Sequence, residues 1–372
     1  MFVAINIALL IGSGVRVGGD SGIYVDGAEK MLSGRMLTAR QPSYAGYIAV
    51  VAASQAVGVG LWGVVAVQLA AAIGAAVAVY GLALELGGRL AGGVAVLLFA
   101  ADINTNRWHA YVLSDSLYAS LLVIAVWLVY RAAARGPKPQ APSLKPYASA
   151  SVVLLAAGLI RPEGWFLIPA AIAYWVARLD APASRRAAML AGGVLACAVL
   201  YAAVAPRLGG NLSAVGPAEM LRRGQTIWEY DGWRVAMPDD PALSSQSGNA
   251  AALEYGVRHP LATATLMAAR LGVHAVHVRP YYSLSHNLMI AVWLAPFYLL
   301  TLIGAWATRR QALLWWCAIA LASQSVVVAL THADWDGRYL DHVMPLLYPC
   351  AACGLLLVLQ RITPAWHARV AQ

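Results

Sequence analysis

Residues 111–130 read YVLSDSLYASLLVIAVWLVY, an apolar run broken by a single early carboxylate, Asp115. Twenty residues of helix rise about 30 Å, the thickness of a bilayer's hydrocarbon core. Apolar runs recur along the chain at about residues 2–15, 61–86, 90–101, 148–160, 165–176, 187–204, 287–306, 313–330 and 343–359. Sixty per cent of the 372 residues are hydrophobic, 12% are charged, and mean hydropathy is +0.65. Lipid is therefore the solvent for most of the surface, and only helices or closed barrels satisfy their backbones there. The expected fold is all-α, a polytopic membrane protein in which residues 1–372 form one domain of about 10 transmembrane helices. The run at 2–15 lacks the basic start and small-residue cleavage site of a signal peptide and reads as a retained helix.

Charge orients these spans. If the runs alternate across the membrane, twelve of the 26 Lys and Arg fall on one side, Arg89, Arg131, Arg178 and Arg309 among them, with only Glu85 and Asp180 for acids. The other side's fourteen basic and fifteen acidic residues nearly cancel. The first side is then cytoplasmic. The net charge of +9 reports topology and calls for no nucleic acid. Residues 131–147, rich in Pro, Lys and Arg, become a cytoplasmic linker. Low charge, short loops and Ala- and Gly-rich composition suit a bacterial inner membrane, whose outer side is the periplasm.

Two long segments stay outside. In residues 16–60, Tyr24, Ala28, Met31 and Leu32 recur at helical spacing opposite Asp26, Glu29 and Lys30, the pattern of a helix lying in the interface with membrane lipids. Residues 42–57 are apolar but must also remain outside for the basic loops to stay cytoplasmic; if they span, every later loop inverts. Residues 205–286 are polar enough for an outer subdomain, and Trp228, Tyr230, Trp233, Arg270, Arg279, Tyr281 and Tyr282 suit a lid against headgroups or sugar. The four cysteines lie within apolar runs, as small hydrophobes do. His274, His277 and His286 match no metal-ligand spacing.

Few residues carry chemistry. Asp20, in Gly18-Gly19-Asp20-Ser21-Gly22-Ile23-Tyr24, sits at the outer lip of the first span, where a carboxylate is a functional candidate by default. It also reads as an N-cap for the helix that follows. Asp115 lies about one turn into its span and needs a partner, which Arg107 or His109 would supply. Arg161-Pro162-Glu163 forms the outer tip of a hairpin, and Arg338-Tyr339 precedes the last span. An arginine fork at that depth suits a lipid phosphate. The plainer alternative pairs Arg161 with Glu163, and Arg338 with Asp334, Asp336 or Asp341.

The order of these motifs resembles a family. A short first span, Asp-x-x-x-Tyr at Asp20 and Tyr24, Gln41-Pro42-Ser43-Tyr44 in place of the common Pro-Pro-x-Tyr, Ser114-Asp115-Ser116-Leu117 opening a span, Arg161-Pro162-Glu163 and Arg338-Tyr339 are together similar to the GT-C glycosyltransferases. The nearest branch holds the protein O-mannosyltransferases and lipid A aminoarabinose transferases. The resemblance implies a multi-spanning helical fold and a sugar drawn, on the outer face, from a polyprenyl-phosphate donor. The acceptor would be a hydroxyl of a lipid, a glycan or an exported protein, attacked with inversion and with an acidic residue of the first outer loop as base. Asp20 matches that base. Arg338, Arg161 and Tyr339 are the expected phosphate-binding residues, with Tyr24, Lys30, Arg40, Asp115, Glu163 and His342 as weaker substrate contacts.

Two departures matter. Ser21 stands where an acidic residue often follows the Asp, which puts a two-carboxylate or metal-assisted variant in doubt. No cofactor or metal site is expected, and a divalent ion stays open. The large C-terminal soluble domain of some members is missing, which tilts the acceptor toward a lipid or glycan. The alternative is a transporter or flippase for a lipid-linked sugar, which would show paired repeats and helices broken at mid-bilayer. A structural assembly protein would not need so many acids and arginines on one face.

Overall fold

The structure, a computed structural model, describes residues 1–134, 144–208, 217–241 and 248–362. Arg135 and Lys138 of the linker, Arg369, the start of the second outer segment and the Cys197 side chain lie outside what is described. The chain begins with α1 (Phe2–Ser13), α2 (Ser21–Leu32) and α3 (Ala45–Ala56). At 12 residues α3 is about 18 Å long, shorter than the hydrocarbon core, as α1 and the helix at Leu167–Ala177 also are. It packs beneath α2, where Gly27 lets Ile48 approach the backbone.

Next comes α4 (Gly60–Ala101), 42 residues that do not run straight. Helical geometry fails at Gly87 and Gly88, and Gly88 sits at φ 82°, ψ −174°, a region essentially reserved for glycine. The chain turns back there, so that Gly92 rests against the ring of Tyr80. The expected runs at 61–86 and 90–101 are thus two arms of one hairpin, with Arg89 at its bend.

The short α5 (Ile103–Arg107) leads into α6 (Ser114–Ala134), α7 (Lys145–Ile160), α8 (Leu167–Ala177) and α9 (Ala183–Leu208). An outer segment then supplies α10 (Pro217–Arg222), β1 (Gln225–Ile227), β2 (Tyr230–Arg234), α11 (Gly248–Arg258) and α12 (Pro260–Val276). Three long helices finish the chain: α13 (Leu284–Thr308), α14 (Ala312–Leu330) and α15 (Arg338–Ile362). Among the described residues α4, α6, α13, α14 and α15 are long and apolar enough to cross a membrane, and α1 and α7 are shorter apolar helices. The chain is a multi-pass helical membrane protein.

The last helix, α15, forms the centre of the core, packed between α13, α4 and α6. Gly304 of α13 and Gly354 of α15 bring two backbones into contact, since a Cβ on either would come within 1.9 Å of a carbonyl oxygen on the other helix. Small residues at such a seam do what apolar burial cannot do in lipid, where the tails are as apolar as leucine. The opposite face of α13 exposes Leu288, Val292, Leu299 and Trp306, as a lipid-facing helix would.

Among the described residues the departure from an all-α chain is the two-stranded β1–β2 hairpin, whose Ile227 bridges to Ala333 beyond α14. Arg270 and Arg279, expected to face headgroups, turn inward instead and are fully buried. Arg270 donates to the carbonyls of Gln225, Ala329 and Met220 at 3.0–3.1 Å. Arg279 donates to those of Val273, Val278 and Asp334 at 2.9–3.1 Å. Each guanidinium is satisfied by three backbone carbonyls, which ties the outer segment to the end of α14.

Candidate functional site

Helix α15 starts at Arg338, five residues before the apolar run expected at 343–359. That extension puts Arg338 and His342 four residues apart on one helical face. Asp115 enters from the first turn of α6, and Arg161 and Glu163 enter from the turn after α7. The Asp115 Oδ1 accepts from Arg161 Nη1 at 2.9 Å and from His342 Nε2 at 2.9 Å, while Oδ2 lies 3.8 Å from Arg338 Nη1. The Asp115, Arg161 and His342 side chains are at most 6% exposed, so the charges persist only by neutralising one another.

Neither expected partner of Asp115 reaches it. His109 meets Ser116 Oγ through Nδ1 at 2.5 Å, and Arg107 lies over the Trp108 ring at 4.6 Å. The short turn after α5 gives both residues nearer company than Asp115.

The guanidinium of Arg161 is fully engaged. Besides Asp115 it donates from Nη1 to Ser114 Oγ at 3.2 Å, and from Nη2 and Nε to the two Glu163 oxygens at 2.8 and 3.3 Å. Three phenol rings surround it, Tyr339 at 5.5 Å, Tyr44 at 5.9 Å and Tyr118 at 6.0 Å. Burial alone would raise the Glu163 carboxyl, but the Arg161 charge overrides it and holds the group below its usual range. Burial pushes the Tyr44 phenol up to about 12, so it stays a neutral donor near neutral pH.

Arg338 is the more open cation, with its side chain 20% exposed and its Nε on Asp336 at 3.0 Å. Of the alternatives weighed for it, Asp341 is otherwise occupied. Asp341 accepts from Asn104 Nδ2 at 3.0 and 3.1 Å and from Trp108 Nε1 at 2.7 Å, fixing α5 to α15.

The first outer loop closes the cluster. Tyr24 is buried, shares a 3.1 Å hydrogen bond with Ser114 Oγ, and packs edge-on against Tyr44 at 5.4 Å. One turn earlier Asp20 occupies the N-cap position of α2, yet its side chain makes no capping hydrogen bond. It meets Arg40 Nη2 at 3.4 Å instead, with both side chains partly exposed. Lys30 is spent on Asp26 at 2.7 Å, Thr38 at 3.0 Å and Gln41 at 3.3 Å. Tyr339 and Glu163 thus join the cluster, Asp20 and Arg40 form a separate pair, and Lys30 faces neither.

Sequence reasoning missed Tyr44 and Tyr118 as walls of the Arg161 site. Tyr44 was within reach, because it ends the Gln41-Pro42-Ser43-Tyr44 motif. Tyr118 reads only as one more aromatic in an apolar span.

No family model and no curated protein matches the chain. Among solved structures, ArnT from Cupriavidus metallidurans in the apo state superposes at TM-score 0.51 with 13% identity, over 95% of this chain and 58% of ArnT. The same protein bound to undecaprenyl phosphate aligns over 98% of this chain and 79% of its own at TM-score 0.40 and 14% identity. The chain therefore spans somewhat over half the length of the apo ArnT structure it is similar to. At that identity the likeness is one of fold, and the chain shares the multi-spanning helical fold of ArnT.

Proposed function

We propose that this chain is a membrane glycosyltransferase that moves a sugar from a polyprenyl-phosphate donor to a hydroxyl acceptor on the outer face of a bacterial inner membrane. One observation carries the reading. Five short motifs, weak singly and up to some 300 residues apart, converge: Tyr24 on Ser114, Tyr44 and Tyr339 around Arg161, and Asp115 between Arg161, Arg338 and His342. A chain keeping such residues only for packing has no reason to gather them beside a buried ion cluster, which is a weak source of stability. ArnT, similar in fold in its apo state, is also known bound to undecaprenyl phosphate, and this chain's proposed donor belongs to that lipid class. With about 10 spans and the basic loops inside, residues 16–60 and 205–286 both lie on the outer side.

The reaction needs a base, a cation and a leaving group. The acceptor oxygen attacks the anomeric carbon, the bond from that carbon to the phosphate oxygen breaks, and the acceptor proton passes to the Asp20 carboxylate. Single displacement inverts the anomeric centre. Negative charge gathers on the departing lipid phosphate, where a fixed cation lowers the barrier. Arg338 takes that place, being the less encumbered arginine, while Arg161, saturated by Asp115 and Glu163, holds the frame and the local positive potential. Arg40 keeps Asp20 oriented, and Tyr339 and His342 wall the phosphate side.

The test is transfer of radiolabelled sugar from a polyprenyl-phosphate donor by the purified chain in membrane vesicles. A chain that instead moves the intact lipid-linked sugar across the bilayer, without cleaving it, would be the flippase of the alternative reading.

A further inference from the structure

The first helix leaves one side uncovered. Phe2 and Asn6 of α1 turn into the core, where Phe2 packs on Phe99 at 4.8 Å and Asn6 donates to Asn106 Oδ1 at 2.9 Å. Beside them Ile5, Ala8, Leu9 and Gly12, at helical spacing, line an open trough together with Ile103 of α5. The trough encloses about 700 Å³ including its open side and runs about 10 Å along α1. Small residues make the room, since a Cβ on Gly12 would meet nothing within 4 Å. Arg16 supplies the only charge of the lining. Its Nη1 donates to the Tyr111 hydroxyl at 3.1 Å, and its guanidinium lies 5.6 Å from the Tyr111 ring. That ring packs on Trp108 at 4.9 Å, and Arg107 lies 4.6 Å over Trp108 in turn. Arg107 is exposed, four residues after Ile103 and so on the same face of α5. Among the described residues neither Arg16 nor Arg107 pairs with a carboxylate, whereas Arg40, Arg161 and Arg338 each hold one.

We infer that this trough binds an anionic glycerophospholipid of the adjacent leaflet, with one acyl chain along α1 and the phosphate between Arg16 and Arg107. The apolar lining alone would admit any lipid tail. The rim discriminates, because two guanidinium groups without carboxylates attract a headgroup of net negative charge, and a zwitterionic headgroup brings its own cation against them. Arginine forks also match phosphate oxygens in geometry. Trp108 and Tyr111 hold both forks in place and sit as aromatic residues do at headgroup level. Arg338 reaches the same Trp108 ring at 6.0 Å, so the bound lipid lies beside the proposed donor phosphate. The assignment stands apart from the glycosyl-transfer reading, because binding needs only the chain and the lipid.

The experiment is native mass spectrometry of the full, delipidated chain in neutral detergent, titrated with dioleoyl phosphatidylglycerol or dioleoyl phosphatidylcholine. The two probes share their chains and differ in headgroup charge. The native chain should hold phosphatidylglycerol about 10- to 30-fold more tightly, the worth of two arginines near a phosphate. Replacing both, Arg16→Gln with Arg107→Gln, should bring the two lipids within about twofold of each other. Gly12→Leu, which fills the trough from an open position, should weaken phosphatidylglycerol about tenfold with an unchanged melting temperature. Arg309→Gln, beyond the far end of α13, should alter neither. Equal retention of the two lipids by the native chain, or a preference kept by the folded double variant, overturns the site. Undiminished binding by Gly12→Leu does the same, so the test stands even if the double variant fails to fold. Displacement of the bound phosphatidylglycerol by an equal concentration of polyprenyl phosphate would make the trough the path of the donor lipid and overturn the assignment.

Discussion

The Asp115 carboxylate lies 2.9 Å from Arg161 Nη1, joining the start of α6 to the turn after α7 across 46 residues of sequence. Around that pair the protein spends one carboxylate on three partners, since the His342 imidazole and the Arg338 guanidinium address the same group. Asp115 cannot then serve as a free base without releasing its neighbours. Asp20, partly exposed and paired with Arg40 at 3.4 Å, has more freedom to take a proton.

Orientation follows from the distribution of basic residues. Ser149, exposed near the start of α7, and Ser285, exposed near the start of α13, should lie on opposite sides of the membrane. Cysteines placed there in intact cells should react differently with a membrane-impermeant maleimide, with the Ser285 position labelled and the Ser149 position protected until lysis. Labelling of both before lysis would place them on one side and overturn the topology, and labelling of the Ser149 position alone would invert it.

The hairpin within α4 makes a purely structural prediction. Gly88 at φ 82° and ψ −174° admits no Cβ without strain of about 1–3 kcal/mol. Gly93, five residues on, has open space where a Cβ would stand. Gly88→Ala should lower the melting temperature in detergent while Gly93→Ala leaves it near native. Equal behaviour would mean that the helix runs straight through the bend.

How far the sequence reached is clearest at the helix ends. Apolar runs located α6, α13, α14 and α15 because lipid demands unbroken hydrophobicity, a signal that survives without knowledge of packing. The same signal stopped at Val343, and so missed that α15 begins at Arg338 and aligns Arg338 with His342. Polar helix starts carry no hydropathy. The motifs located Asp115, Arg161 and Arg338, but their pairing was invisible because Asp115 finds its partners 46 and more than 200 residues away, not at neighbouring Arg107 or His109. The β1–β2 hairpin was missed for another reason. Its strands are three and five residues long and draw their support from Ala333, far along the chain.

Arg338 should behave as a phosphate ligand and not only as a partner of Asp115 and Asp336. Arg338→Lys keeps the charge but loses the planar fork, and donor turnover should fall by about tenfold with normal expression. Arg338→Ala should cost about 10- to 100-fold, the worth of one or two charge-assisted hydrogen bonds. Native-rate transfer by a folded Arg338→Ala chain would remove the phosphate role.

Glu163 should leave a mark on acid stability. Its carboxyl titrates below the ordinary range because the Arg161 charge outweighs the penalty of burial. A depressed folded value means the stabilisation is complete above the unfolded value of about 4.3 and is lost as pH falls through the lower folded one. Between pH 5 and 8 the melting-temperature difference between native and Glu163→Gln should therefore be constant. Below about pH 4 it should shrink. A difference that grows on acidification would mean the pair opposes folding.

Asp20→Asn separates base from scaffold. The Asp20 side chain makes no capping hydrogen bond to α2, so the amide removes the proton acceptor without removing a cap. Its contact with Arg40 is long and partly exposed, a pair whose loss costs little stability. The variant should fold and melt like the native chain and still bind the polyprenyl-phosphate donor. Transfer should drop by about 10²- to 10⁴-fold, the usual contribution of general-base catalysis. Arg40→Ala should lower transfer less, since it disturbs the orientation of the carboxylate and leaves its charge. If Asp20→Asn transfers sugar at the native rate, neither Asp115, held by Arg161, Arg338 and His342, nor Asp26, bonded to Lys30 at 2.7 Å and Gln41 at 2.6 Å, offers an unengaged carboxylate in its place. Glu29, exposed on the same helix, would be the next carboxylate to replace, and Tyr44, a half-buried phenol beside Arg161, the next neutral group.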